Sequence, residues 1–275
     1  MTDHSARPQP SSTSQGAPPD APLPLSLAIV CHNNASTIAR TLDSVAPLAS
    51  EIVAVDGGST DATLELLAHH HARVITSPWL GYVRTKQLAI DHCTQPWVLL
   101  LDSDESIEPP LARSIRAALS SWQEGGPAGY QLNRKVFYSG RFLHHAWQPE
   151  WRTRLARREL CQQRGIDPHD HLHVTGRVER LAGDLRHDSF ASFEDQFRKQ
   201  VGYARAMADQ LVAQGHRGSR VRLVTSPLGA FAKQLILKGA WRDGWAGWLA
   251  AASTSANALV KHAVLIERAH RSRVD

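Results

Sequence analysis

Three carboxylates crowd the end of an apolar run in this chain. Trp97 to Leu101 shows no polar alternation, and Asp102, Ser103, Asp104 and Glu105 follow directly. A continuous apolar run of this kind predicts a strand buried on both faces, as in a parallel sheet. Acids at the mouth of such a strand repel one another and lose hydration, so a cation belongs there. A hard divalent ion takes few protein carboxylates and fills its other positions with water or substrate phosphate oxygens. Asp102-Ser103-Asp104 therefore reads as a metal–diphosphate site. The competing reading is an acidic loop ahead of a helix, since acids favour helix N-termini and Pro109-Pro110 can start one.

The elements that must position these acids follow from the hydropathy pattern. Leu25–Cys31 is apolar, is bounded by Pro24 and His32-Asn33-Asn34, and predicts a first strand. Over Ala35–Val45, Ile38, Leu42 and Val45 recur at helical spacing, with Asn34 or Ser36 as a cap. Glu51–Val55 predicts a second strand, which ends in Asp56-Gly57-Gly58-Ser59-Thr60-Asp61. Its glycines permit a tight turn or close approach of backbone to a ligand. Ser59 or Thr60 can cap a helix over Ala62–Ala72. Arg73–Thr76 predicts a short third strand and Tyr82–His92 a third helix. Strand and helix in alternation predict a parallel α/β sheet. Such sheets bind ligands at the carboxyl ends of their strands, and those ends carry His32-Asn33, Asp56 and Asp102-Ser103-Asp104. No G-x-G-x-x-G follows a strand and no G-x-x-x-x-G-K-[ST] occurs, so dinucleotide and P-loop readings lack their phosphate cradle.

Composition sets the bounds. The chain has 275 residues, 42% of them hydrophobic, enough for one large domain or a domain with an appendage. A net charge of +5 suits an anionic substrate or an anionic membrane surface. Without zinc-finger spacing or an aromatic–basic motif, nucleic acid is not an expected partner. Cys31, Cys93 and Cys161 are far apart and read as free thiols in a reducing cytoplasm. Residues 1–24 are poor in large apolar side chains and are expected to form a disordered tail without signal-peptide character. No run of about 20 apolar residues occurs, so no spanning helix is expected.

The ordered set Ile29-Val30-Cys31-His32-Asn33, Asp56–Asp61 and Asp102–Asp104 resembles that of family 2 inverting glycosyltransferases. The resemblance implies a GT-A fold: a Rossmann-like, mostly parallel α/β sheet flanked by helices, here over residues 25–188. It also implies a UDP-sugar donor and a divalent metal, Mg²⁺ or Mn²⁺. Further along, Gly81-Tyr82 with Lys86, Gly140-Arg141-Phe142, Trp147-Gln148-Pro149-Glu150 and Arg154–Arg158 are similar to the heptose β-1,4-glucosyltransferases of the lipopolysaccharide core. So are His169–Gly176, Gln200–Ala206 and Asp243-Gly244 ahead of a long C-terminal helix. Asn34, Glu150, Ala156 and Asp170 stand where that subfamily has Glu, Asp, Phe and Glu.

What the resemblance implies residue by residue is as follows. Asp104 is the metal ligand, and Asp102 contacts ribose or metal. Asp56 accepts a hydrogen bond from a uracil N–H, with Asn33 nearby; the alternative is a turn residue that bonds its own loop. Arg84 and Lys86 are candidate phosphate-binding cations, or part of a solvated helix face. Asp170 falls where the subfamily has its acid and is the candidate base for the acceptor hydroxyl. Trp79, Trp147 and Trp151 are candidates for stacking on sugars or for packing in the core.

Two other readings compete. His169, His171 and His173 alternate and, with His187, could form the zinc site of a hydrolase. The chain could also be a non-catalytic membrane-associated binding module with this fold. Residues 189–275 predict a helical, amphipathic appendage. Its Trp241, Trp245, Trp248, Leu249, Ala252, Ala256, Leu259, Val260 and Ala263 form a stripe at helical spacing beside a basic stretch from Arg217 to Arg242 that holds no acid. That combination fits an anionic lipid surface, or a helix packed on protein. The expected acceptor is a lipid-linked core oligosaccharide. The expected location is the cytoplasm, peripheral on the inner face of the inner membrane.

Overall fold

The structure, a computed structural model, describes residues 21–167 and 169–271, the His169 side chain excepted. Its centre is a set of parallel strands: β1 (Leu23–Cys31), β2 (Ala49–Asp56), β3 (Arg73–Thr76) and β4 (Trp97–Asp102). Along β1 and β4 successive side chains point to opposite faces. Leu25, Leu27, Ile29, Leu99 and Leu101 enter one core, and Ala28, Val98 and Leu100 enter the other. The first core is closed by α1 (Ile38–Val45), α2 (Thr63–His69) and α4 (Pro109–Ser120). The second is closed by α3 (Tyr82–Asp91) and by a ribbon of β9 (Cys161–Ile166) and β10 (His169–Val174). Both faces are covered, which is why these strands read as unbroken apolar runs.

The strands run in the order β3-β2-β1-β4-β8-β6-β11-β5, with β5 (Glu105–Ile107), β6 (Gly129–Tyr138), β8 (Trp151–Arg157) and β11 (Val178–His187). A short β7 (Arg141–Phe142) pairs with β6. The sheet is mixed: β8 is antiparallel to both β4 and β6, and β11 is parallel to β6. The carboxyl ends of β1, β2, β4, β6 and β11 therefore lie on one edge, together with the start of β8. This is the GT-A arrangement that the resemblance implied.

Several boundaries differ from the sequence expectation. The first strand begins inside the stretch read as a tail: Leu23 is buried and donates its N–H to the Leu48 carbonyl at 2.7 Å. Residues 1–20 of that stretch lie outside the described residues. Helix α1 starts at Ile38, and neither Asn34 nor Ser36 is its N-cap; Thr37 occupies that position without a side-chain cap bond. Neither Ser59 nor Thr60 caps α2. Asp61 accepts from the Thr63 N–H and hydroxyl instead, because Ser59 is drawn back to Asp56.

The C-terminal third is packed onto the sheet rather than hung from it. It comprises α5 (Phe193–Ala213), α6 (Arg220–Ala232), a π turn over Lys233–Leu237, a 3₁₀ turn over Ala240–Asp243, and α7 (Trp245–Arg271). Phe190, Phe193, Ala246 and Ala250 share a core with Val136, Leu143 and Ala146. The junction is polar as well. The buried Asp243 carboxylate accepts the N–H groups of His144, His145 and Ala146 at 2.9, 2.9 and 2.7 Å. Asp243→Ala leaves those three donors without their acceptor and should lower unfolding stability by about 3 kcal/mol. Urea denaturation measures this, and a loss below about 0.5 kcal/mol, the level of an ordinary surface change, would refute the anchor.

Candidate active site

The acids at the end of β4 are neutralised by the protein's own cations. Asp102 Oδ2 lies 2.6 Å from Arg154 Nη2, and Asp102 Oδ1 lies 2.7 Å from Lys86 Nζ. Arg154 also reaches Glu105 Oε1 at 2.5 Å, and Arg134 Nη1 reaches the same oxygen at 3.4 Å. Glu105 is fully buried, and its other oxygen accepts the Asp102 N–H at 3.1 Å. The turn is held from outside too: Thr41 of α1 donates to the Ser103 carbonyl, and the Asp188 N–H donates to that of Asp104. Burial pushes the Asp102 carboxyl up, but Arg154, then Lys86 and Arg134, hold it well below the usual carboxylate range. Burial lowers Lys86, and its carboxylate partners, Asp102 foremost, outweigh that and raise it.

Lys86 brings in the second half of the chain. Its Nζ also contacts Asp170 Oδ2 at 3.0 Å, and the Gln163 side-chain amide donates to the same oxygen. Among the described residues, no hydrogen bond is made to Asp170 Oδ1. Strand β10 thus places Asp170 one lysine away from Asp102. On the far side, Arg134 forks onto Glu150 through Nε at 3.1 Å and Nη2 at 2.6 Å, and Arg152 joins at 2.8 Å. Burial pushes the Glu150 carboxyl up, yet Arg134 and Arg152 bring it down to about 2.

Asp104 behaves differently from Asp102. Its only ionic neighbour among the described residues is His187, with Nε2 3.6 Å from Oδ2. His187 ends β11, and its buried Nδ1 has no hydrogen-bond partner among the described residues. A carboxylate oxygen and an imidazole nitrogen side by side are donors that suit a divalent ion. No group of three or more His, Cys, Asp or Glu side chains is gathered among the described residues. Asp104 and His187 therefore fit a metal that takes most of its ligands from substrate and water.

That finding corrects the zinc reading. His171 and His173 sit on the β9–β10 ribbon, whereas His187 ends a strand of the main sheet beside Asp104. The His169 side chain lies outside the described residues. The ribbon packs over one face of the sheet, while His187 ends a strand at the sheet's edge, so among the described residues His171 and His173 do not join His187 in a cluster.

Asp56 takes the turn role that was its alternative. It is 1% exposed; its Oδ2 accepts the Gly58 and Ser59 N–H groups, and its Oδ1 accepts from the Ser59 hydroxyl and the Cys31 thiol. Gly58 sits at φ +89°, which the turn requires. Asn33, at φ +54°, accepts the Thr60 N–H and so pins the β1 and β2 ends together. Arg84 is exposed on α3, unlike Lys86 two residues on. Of the tryptophans, Trp79 is exposed and packs edge-on against Tyr82 at 4.8 Å, while Trp147 packs on Phe190.

Sequence reading did not find Glu105, Arg134, Gln163 or Arg152 as members of one network, and met Arg154 only within a motif. One signal was available: Arg152 and Arg154 alternate in a strand that leads into apolar Leu155-Ala156. Charges at that period in a buried strand demand partners.

The family model described as Glycosyl transferase family 2 matches residues 26–179. An uncharacterized glycosyltransferase of Rickettsia prowazekii (strain Madrid E) is 30% identical over 235 residues, covering 82% of this chain and 80% of that protein. The lipopolysaccharide core biosynthesis glycosyltransferase LpsC of Rhizobium meliloti (strain 1021) is 29% identical over 259 residues, covering 90% and 93%. Among solved structures, S. aureus TarS 1-349 in complex with UDP-GlcNAc aligns with a TM-score of 0.46 and 13% identity over 90% of this chain and 91% of that one.

The Glu150 clamp has a pH signature. A carboxyl held near 2 when folded, against about 4.5 when unfolded, stabilises the native state fully above the unfolded value. The contribution is lost as pH falls from about 4.5 toward 2, and amounts to at most about 3 kcal/mol. Glu150→Gln should lower stability at pH 7 and flatten its decline below pH 4.5. Parallel stability–pH curves for parent and variant would show that the clamp contributes nothing.

Proposed function

The chain belongs to glycosyl transferase family 2, and on that premise we propose that it moves glucose from UDP-glucose, with inversion, onto a lipopolysaccharide core sugar. The observation that carries this reading is that Lys86 of α3 joins Asp102, at the end of β4 and two residues from Asp104 with its neighbour His187, to Asp170 of the β9–β10 ribbon. LpsC, similar along nearly its whole length, supports the acceptor class.

Asp104 and His187 would hold Mg²⁺ or Mn²⁺, which when bound neutralises the diphosphate leaving group. Lys86 and Arg154 line the same edge and are the cations nearest the leaving group. Asp102 fixes both of them and is itself too strongly paired to act as a base. Asn33 and the Asp56 loop form the wall at the β1 and β2 ends where the nucleoside lies.

Inversion takes one displacement. The acceptor oxygen bonds to the anomeric carbon as the bond to the diphosphate breaks, and the hydroxyl proton passes to a carboxylate. Asp170 serves, because Lys86 and Gln163 orient it through Oδ2 and leave Oδ1 for the proton. The acceptor is lipid-linked, and the enzyme works on the cytoplasmic face of the inner membrane.

Two measurements test this. In a thermal-shift panel of UDP- and GDP-sugars with and without Mn²⁺ or Mg²⁺, UDP-glucose with metal should raise the apparent stability of the native chain. Asp104→Asn should abolish the metal-dependent part of that shift, and an unchanged shift would remove Asp104 from the metal site. Asp170→Asn should keep the shift but lose transfer by roughly 10²–10⁴-fold. Transfer at the parental rate would rule Asp170 out as base.

A further inference from the structure

The first turns of α7 are packed inside out. The face turned inward there is made of small residues, Ala246, Gly247, Ala250 and Ala251, while Trp245, Trp248 and Leu249 are exposed; His262 and Leu265 are buried only further along the helix. A helix that packs only within a water-soluble body does the reverse, since burying the largest apolar side chains gains the most. The segment ahead of α7 shows the same inversion. Leu228 is 66% exposed, Ile236 67%, Leu237 81%, and Trp241 and Trp248 each 53%. These positions lie on α6, on the two short turns after it and on the first turns of α7. Phe231 of α6 meets Trp248 of α7 at 6.2 Å, which joins them into one surface. Contiguous apolar exposure of this kind marks a contact face.

Its charge says what the contact is. Residues 217–242 contain six Lys or Arg and no Asp or Glu. Arg242 lies over the Trp241 ring at 5.2 Å, so cation and aromatic sit at the same level. Basic residues level with tryptophans, around protruding aliphatic side chains, match the headgroup layer of an anionic bilayer above its acyl chains.

The face is wired to the site. Lys238 donates to the Gln148 carbonyl at 2.8 Å, and Asp243 binds the backbone of 144–146. Two residues beyond Gln148 is Glu150, which clamps Arg134 and Arg152. The geometry points to a membrane wedge, formed by the end of α6, the turns over 233–243 and the first turns of α7. It inserts shallowly into anionic lipid and holds the 144–150 loop, and with it the site, at the headgroup level. This deepens the reading that the acceptor is lipid-linked and rests on that reading. α7, with 27 residues, is long and apolar enough to cross a bilayer by length and composition. Its packing against α5 and α6 through its small face keeps it in the interface instead.

Flotation of the full chain with phosphatidylcholine vesicles, with and without phosphatidylglycerol, tests the wedge. The parent should bind the phosphatidylglycerol vesicles, and added salt should release it. The triple variant Ile236→Ser, Leu237→Ser, Trp241→Ser should bind them roughly tenfold or more weakly. It should keep the parental thermal shift with UDP and Mn²⁺, which shows that it folds. Lys233→Gln with Arg242→Gln, both exposed within the wedge, should weaken binding to phosphatidylglycerol vesicles without disturbing packing. Equal binding to both vesicle types, none to either, salt-resistant retention as for a spanning helix, or variants that bind like the parent would each overturn the wedge. So would a parental dimer that the triple variant converts to monomer, since a second copy would then cover the face. Vesicle binding as expected, with no UDP shift in the parent, would sink the donor reading and leave the wedge standing.

Discussion

Burying carboxylates at the end of a fully apolar strand is the constraint that the rest of this structure answers. Carboxylates placed there need cations that share the burial, since an unpaired buried charge is costly. Arg154 from β8, Arg134 from β6 and Lys86 from α3 supply them. Each cation arrives on a different element, so the acids fix where three elements must end. The antiparallel insertion of β8 between β4 and β6 follows the same need, because it brings Arg154 directly beside Asp102. With one partner removed, the remaining charge would be buried and unpaired. The network therefore holds its geometry before any donor arrives, and preorganised charge is what a reaction that releases a diphosphate needs.

The same network separates two kinds of acid that the sequence wrote side by side. Asp102 is spent on structure, held by Arg154 and Lys86. Asp104, two residues on, has His187 as its only ionic neighbour among the described residues. An Asp that is fully paired organises the site, and one that is not can take a metal. Lys86 then joins Asp102 to the ribbon that carries Asp170, so two carboxylates from distant parts of the chain share one ammonium. That coupling gives a reason for the lysine to be buried: a solvated one would hold neither acid firmly.

The C-terminal helices extend this logic outward. Asp243 and Lys238 tie the exposed apolar turns to the loop before Glu150. Small residues on the inner face of α7 permit close helix packing and leave the bulky ones outside. The outward tryptophans and the rigid catalytic edge are thus two ends of one connected body.

The sequence by itself determined much of the sheet. β3 lies where Arg73–Thr76 was expected, and β4 was legible because five apolar residues in a row suit only a strand covered on both sides. The acid cluster and the tryptophan stripe were legible as local patterns too, whereas the turn role of Asp56 stood only as an alternative and the side to which the stripe faces stayed open. What only the tertiary structure decided is which charges meet. Lys86 and Asp170 are 84 residues apart and Asp104 and His187 are 83 apart, and nothing local distinguishes a partner from a bystander. The helix caps show the same limit, because Ser59 could serve α2 or Asp56 and the buried carboxylate took it. Periodicity encodes which face of an element is buried, whereas pairing depends on strand register and on the order of strands in the sheet. Those are set by long-range packing and charge balance together.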